Sequence, residues 1–278
     1  MTPHLILMKK VTFHTYRTSY KNDIMFEVKK ILKLVDDRKI AILRGIDVRV
    51  EADAPIEDLK LVSKEERIRR EKEFEKKIIN RIAKIENIEH SRRKEIIYTG
   101  KILHLDGDRK YAEKSIMYYK KMGLNAIVKN IPENRQAKVV YRLLSIYNPD
   151  ILVITGHDGM ISNKQKYNDV LNYRNSIHFI KTVKEARIYD EKHGKNLVIF
   201  AGACQSYFEA LMDAGADFAS SPARILIDFL DPLVVAKNVA VTDKRKYITI
   251  DDFVDELRDG KRGVNGLGAQ GKKNVIFL

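Results

Sequence analysis

Ile151-Leu152-Val153-Ile154-Thr155-Gly156-His157-Asp158-Gly159 and Leu197-Val198-Ile199-Phe200-Ala201-Gly202-Ala203-Cys204-Gln205 are two near-copies of one pattern, an apolar run entering small, turn-compatible residues. Such a run reads as a strand buried on both faces of a parallel sheet. The residues just beyond it fall at the carboxyl edge of the sheet, where open α/β folds place their ligands. One run delivers His157 and the other Cys204, the single cysteine of the chain. If the strands are neighbours, an imidazole and a thiol face one crevice.

Working outward, Ile102-Leu103-His104-Leu105 reads as a strand, residues 111–122 as a helix ended by Gly123, and Ala126-Ile127-Val128 as the next strand. Helices at 132–147, about 171–189 and 207–214 then alternate with the two opening runs. Repeated βα units predict an α/β fold with a mostly parallel sheet and helices on both faces. Past Pro222 the pattern weakens. Leu233-Val234-Val235-Ala236 and Tyr247-Ile248-Thr249-Ile250 read as further strands, and the last twenty residues, rich in glycine, as loop. Residues 1–62 alternate over 23–29 and 45–50 with a strand at 40–42 between, which predicts a small SH3-like β-barrel. Ser63 and Glu66 form a capping box opening a charged helix to about Lys94, with one narrow stripe of Phe74, Ile78, Ile82, Ile85 and Ile88. The expected organisation is a barrel at 1–62, a helical connector at 63–95 and an α/β domain at 96–278. The exposed, arginine-rich connector is an expected target of proteolysis.

With 52 Lys and Arg against 38 Asp and Glu, the chain carries a formal charge of +14. That balance suits nucleic acid, an anionic surface or acidic proteins. The basic residues are interleaved with acids, however, and no zinc-finger spacing, RNP motif or Walker loop is present, so a solvated basic surface is expected. A single cysteine excludes an intrachain disulfide. No apolar run reaches the roughly 18 residues of a membrane span, and the first residues lack a signal-peptide pattern. A soluble cytoplasmic protein is expected.

Cys204 follows a strand and small residues and precedes a helix start signalled by Ser206 and Glu209. A thiol near a helix N-terminus gains thiolate character. Gln205 reads as pocket wall or surface. Of the seven histidines, His104 alternates inside its strand and reads as a satisfied core residue, whereas His157 lies in a glycine-flanked loop able to present backbone N–H groups. Zinc is disfavoured, because one cysteine and no His/Cys cluster leave no ligand set.

At these residues the chain resembles caspase-like cysteine peptidases, in Thr155-Gly156-His157-Asp158 and Phe200-Ala201-Gly202-Ala203-Cys204-Gln205. It is more closely similar to the YabG sporulation-specific peptidases, through Leu103-His104-Leu105-Asp106-Gly107-Asp108, residues 149–158 and Phe218-Ala219-Ser220-Ser221-Pro222. The resemblance covers the whole chain. It implies a caspase-like α/β fold and endopeptidase action on spore coat and morphogenetic proteins after arginine, with Cys204 as nucleophile, His157 as proton-transfer partner and no cofactor. It also implies the mother cell of a sporulating bacterium, or its spore coat, as the location. Asp158, not glycine, follows the histidine, so the oxyanion N–H groups are expected from Cys204 and from Asp158 or Gly159. Gly202 stands where basic-specific relatives carry an acid, so the carboxylate for an arginine substrate is sought in Asp106 and Asp108, with Asp158 and Asp231 as weaker candidates. Asp106 and Asp108 have an alternative reading as helix N-caps or turn residues. Other readings of the chain are a non-enzymatic scaffold or nucleic-acid module, and a thiol-dependent amidase or acyltransferase on a small molecule.

Overall fold

The computed structural model describes residues 13–34, 36–86, 96–161 and 167–276. Five strands come first, β1 (His14–Arg17), β2 (Met25–Lys33), β3 (Lys39–Gly45), β4 (Glu51–Pro55) and β5 (Leu59–Leu61). They form one antiparallel sheet in the order β4-β3-β2-β1-β5. Phe26, Val28, Ala41, Leu43 and Ala54 supply its buried side. The alternation at 45–50 does not make a strand. Gly45 donates its N–H to the Val50 carbonyl at 2.8 Å and Ile46 donates to Met25, so the segment closes into a tight loop. A Cβ on Gly45 would lie 2.5 Å from the Val48 carbonyl oxygen, which is why the turn needs glycine. Val48 and Val50 pack in the cluster with Phe26, Val28 and Leu43, while Arg49 between them is buried against the α/β part.

Helix α1 (Lys64–Glu86) follows, and Ser63 Oγ accepts the Glu66 N–H at 3.1 Å. Phe74 and Ile78 of the stripe pack against the main core. The end of the expected helix, with Ile88, lies outside the described residues.

The remaining elements are β6 (Ile96–Tyr98), β7 (Ile102–Asp106), α2 (Arg109–Lys121), β8 (Ala126–Asn130), α3 (Glu133–Tyr147), β9 (Ile151–Thr155), α4 (Ser176–His193), β10 (Val198–Ala201) and α5 (Phe208–Asp213). After them come β11 (Phe218–Ser220), α6 (Asp231–Val241), β12 (Tyr247–Ile248), β13 (Val264–Gly266), β14 (Ala269–Gln270) and β15 (Asn274–Ile276). A six-stranded sheet runs β13-β11-β10-β9-β7-β8, parallel except for β13. Its central strands are buried on both faces, as their unbroken apolar runs require. Ile102, Ile151, Val153, Val198 and Phe200 pack with α2 and α6, while Leu103, Leu105, Leu152, Ile154 and Ile199 pack with α3 and α4.

Three expectations need correction. Leu233-Val234-Val235-Ala236 lies within α6, not a strand. This helix is buried over nearly its whole length, and an all-round apolar helix has no period by which to distinguish it from a buried strand. Helix α4 begins at Ser176, with a short 3-10 turn at Val170–Asn172 before it. The glycine-rich end is not all loop, since β13 extends the main sheet, β14 pairs with β12, and β15 pairs with β6.

Candidate active site

Parallel pairing of β9 with β10 aligns Ile154 with Ala201. His157 and Cys204 each lie three residues beyond that pair, at the carboxyl ends of adjacent strands. Both side chains are fully buried.

The loop carrying His157 is fixed by carboxylates. Glu133, at the start of α3, accepts the His157 N–H at 2.9 Å. Its carboxylate lies against Gly107 and Gly156, where an added Cβ would come within 2.2 and 2.5 Å of it, so both glycines are needed for its approach. The Asp158 carboxylate turns away from the crevice and accepts from the Gly159 N–H at 2.9 Å, the Asn175 N–H at 2.8 Å, Ser206 Oγ at 2.8 Å and Ser176 Oγ. Burial pushes Asp158 up to about 6, against the lowering effect of these donors. Because Ser206 Oγ also accepts the Ala203 N–H at 2.9 Å, Asp158 ties the histidine loop to the cysteine loop. Asp158→Ala is therefore expected to leave two buried hydroxyls with fewer partners and to cost about 1–3 kcal/mol in urea unfolding. Asp158→Asn should recover part of that loss. An alanine variant with wild-type stability would show that the tie does not matter.

Cys204 is not at a helix N-terminus. Helix α5 is a six-residue element beginning at Phe208, and the Ser206 hydroxyl is engaged with Ala203 and Asp158 instead of capping it. The sulfur belongs to the apolar cluster of Phe26, Val28, Leu43, Val50 and Ile227, which joins it to the N-terminal sheet. Its Sγ accepts the Ile227 N–H at 3.3 Å. Burial pushes the thiol up to about 12, and the N–H of Ile227 and the charge of Arg49 only partly oppose that. The expected lowering by a helix dipole is thus replaced by desolvation.

His157 Nε2 is 3.4 Å from the Gly45 carbonyl, which can only accept, and Nδ1 lies 4.0 Å from Asp108 Oδ2. Burial lowers the pKa of His157, while the Asp108 carboxylate opposes the shift. Burial thus favours the neutral forms of both the imidazole and the thiol. A proton gained by the imidazole would be met by Asp108.

Asp108 also N-caps α2, accepting the Lys110 and Tyr111 N–H groups. Gln205, at φ 55°, turns its Oε1 onto the Met160 N–H. His104 is saturated, with Nε2 2.6 Å from Thr155 Oγ1 and Nδ1 3.2 Å from the Tyr119 hydroxyl. Asp231 begins α6, where its carboxylate accepts the Asp228 and Arg258 N–H groups. Asp158 and Asp231 are thus committed elsewhere, and the Gly159 N–H is taken by its neighbour's carboxylate.

Asp106 is fully buried and binds a guanidinium. Arg49, from the loop between β3 and β4, places Nη1 2.7 Å from Asp106 Oδ2, with both side chains buried. The Arg49 guanidinium carbon lies 4.4 Å from the Tyr111 ring centroid and 5.4 Å from that of Phe229, and the two rings stack on each other. The Arg49 carbonyl accepts the Asp158 N–H at 3.2 Å, and Glu51 donates to the Asp158 carbonyl at 2.8 Å. Sequence reasoning missed Arg49, Tyr111, Phe229 and Glu133. Arg49 sits in what reads as an alternating strand, and the other three are ordinary helix or loop residues until the chain is folded. The available signal was the pair Gly107 and Gly156, which marks a close approach without saying by what.

Among the described residues no group of three His, Cys, Asp or Glu side chains could hold a metal ion, and no helix is long and apolar enough to cross a membrane. Compared with known proteins, residues 10–277 match the model of a family described as YabG peptidase U57. The chain is also similar to the sporulation-specific protease YabG of Bacillus subtilis (strain 168), at 36% identity over 270 residues, covering 92% of this chain and 93% of that one.

Proposed function

The chain belongs to the YabG peptidase U57 family, a family of sporulation proteases, and from that premise we propose that it is a cysteine endopeptidase of caspase-like architecture that cleaves after arginine. The carrying observation is the placement of His157 and Cys204 at the ends of adjacent parallel strands, next to an Asp158 N–H that already binds a backbone carbonyl. Cys204 is the nucleophile. Its proton passes to His157, and the thiolate attacks the scissile carbonyl while the N–H groups of Asp158 and Cys204 receive the oxyanion. His157 then protonates the leaving amine, and water hydrolyses the thioester. Asp108 supports the imidazolium, and Asp106 receives the substrate guanidinium. Arginine preference is supported by the guanidinium that Asp106 and Tyr111 already hold.

Spore coat and morphogenetic proteins, met in the mother cell or on the spore, are the proposed substrates. The order of the N-terminal strands, with β5 beside β1, supports an SH3-like unit at 1–62 that positions them, joined by the connector at 63–95 to the peptidase unit at 96–278.

His157→Ala is expected to lower kcat/KM for an arginyl peptide by about 10²–10⁴-fold, the usual contribution of a general acid–base group. His104→Ala should mainly destabilise the fold. Assaying both variants on a library of peptides with basic residues tests the assignment. An active His157→Ala beside a folded but inactive His104→Ala would move the proton transfer to the other histidine.

A further inference from the structure

Three interactions converge on the short segment between β3 and β4. The Arg49 side chain enters the Asp106 pocket beside the stacked rings of Tyr111 and Phe229, its carbonyl takes the Asp158 N–H, and Val50 bridges in parallel fashion to Asp158 while Glu51 bonds the same residue. The first two are contacts that an arginyl substrate would make on the acyl side of its scissile bond, and the third falls on the leaving-amine side. Val50 packs in the cluster that contains Cys204, so the segment also covers the sulfur.

We propose that residues 48–51 occupy the substrate cleft as an internal stand-in, with Arg49 in the pocket for the substrate's arginine, so that this conformation is latent and a substrate must displace the segment. This rests on the reading of Cys204, Asp158 and Asp106 given above. The occupancy of Arg49 is imperfect for a purely architectural residue. Its Nε and Nη2 are buried without a hydrogen-bond partner among the described residues, although a guanidinium offers five N–H donors. A better-fitting guanidinium on an incoming peptide could use the donors that Arg49 leaves idle, and it would compete for the same carboxylate. Other ties between the N-terminal sheet and the α/β part are the apolar cluster around Cys204, the Tyr111 hydroxyl donating to the Ile46 carbonyl at 3.0 Å, and the ion pairs of Arg44 with Glu133 at 3.9 Å and of Arg174 with Asp53. Neither ion pair involves Asp106, so Arg49 is the group that fills its pocket.

The test compares full-length wild type with Arg49→Gln, which keeps most of the side-chain length without the charge. Alkylation of Cys204 by iodoacetamide, followed by mass spectrometry, is expected to be at least about tenfold faster in Arg49→Gln, and KM for a short arginyl peptide should fall at least threefold. A folded Arg49→Gln protein alkylated no faster than wild type, or one that has lost turnover, overturns the proposal. If the variant does not fold, the wild type decides by hydrogen exchange. Saturating arginine amide should release the Glu51 amide, and glycine amide should not. Unchanged exchange with arginine amide overturns the stand-in. Failure of the underlying reading looks different, because hydrolysis would then persist in Cys204→Ala whatever the state of Arg49.

Discussion

Cys204→Ala is expected to reduce cleavage of an arginyl peptide by about 10⁴-fold or more while leaving a folded protein. On the proposed mechanism, removing Cys204 eliminates the covalent route, and only binding and oxyanion stabilisation remain. The structural cost is small. The substitution deletes one sulfur from a cluster otherwise built of Phe26, Val28, Leu43, Val50 and Ile227, and it leaves the Ile227 N–H without that acceptor. A loss on the order of 1 kcal/mol in unfolding free energy follows. The same burial predicts a pH dependence in the wild type. With the thiol pushed up to about 12, the reactive thiolate is a minor species at neutral pH, and it grows as pH rises towards that value. Alkylation of the closed protein should therefore climb about tenfold per pH unit from 7 to 9 without levelling. A plateau below pH 8 would mean that the sulfur is already activated. Turnover by Cys204→Ala above about one hundredth of wild type, with contaminating proteases excluded, would dismiss the cysteine mechanism.

Asp106→Asn should affect stability and specificity together. The carboxylate pairs with Arg49, accepts the Asp108 N–H at 2.8 Å and the Thr155 hydroxyl at 3.1 Å, and is wholly buried. Neutralising it leaves a buried guanidinium without a countercharge, and breaking such a pair from one side costs about 3–5 kcal/mol. Urea unfolding should register that loss. Adding Arg49→Met should recover much of it, because the orphaned charge is then gone and a double-mutant cycle isolates the coupling. Turnover of arginyl peptides should fall at least about tenfold, while a small uncharged electrophile still labels Cys204. If Asp106→Asn keeps wild-type stability and arginine preference, Asp106 neither anchors Arg49 nor reads the substrate.

The sheet from Ile102 to Ser220 was legible because its strands are short apolar runs, and burial on both faces demands such runs. The same chemistry hid α6. A helix with buried residues all round presents the same unbroken apolar text as a strand, and Asp231-Pro232 at its start was the one cue to the difference. The edge strand β13 has three residues, Val264-Asn265-Gly266, too few to show any period. In the candidate site, His157 and Cys204 stood out because each ends a central strand. Arg49 did not, since its importance comes from a carboxylate 57 positions away in the chain. The thiol's environment was misread for a related reason. The helix after it could be anticipated, but not its short length or the apolar cover contributed by β2 and β3.

On the proposed reading, the pairing of Val50 and Glu51 with Asp158 also sets the form a protein substrate must take. The backbone of that loop is read by main-chain N–H and carbonyl groups, the way a sheet edge accepts an added strand. A helical arginine already spends its own backbone groups within the helix and cannot offer them here. Drawing about four residues into an extended track costs roughly 1–2 kcal/mol each in backbone freedom when they start from a flexible linker, and more when a helix must first be undone. On the proposed reading, arginines in unpaired linkers are cut first, and those in folded regions are spared until the region opens. The folding state of each target then sets the order of cleavage.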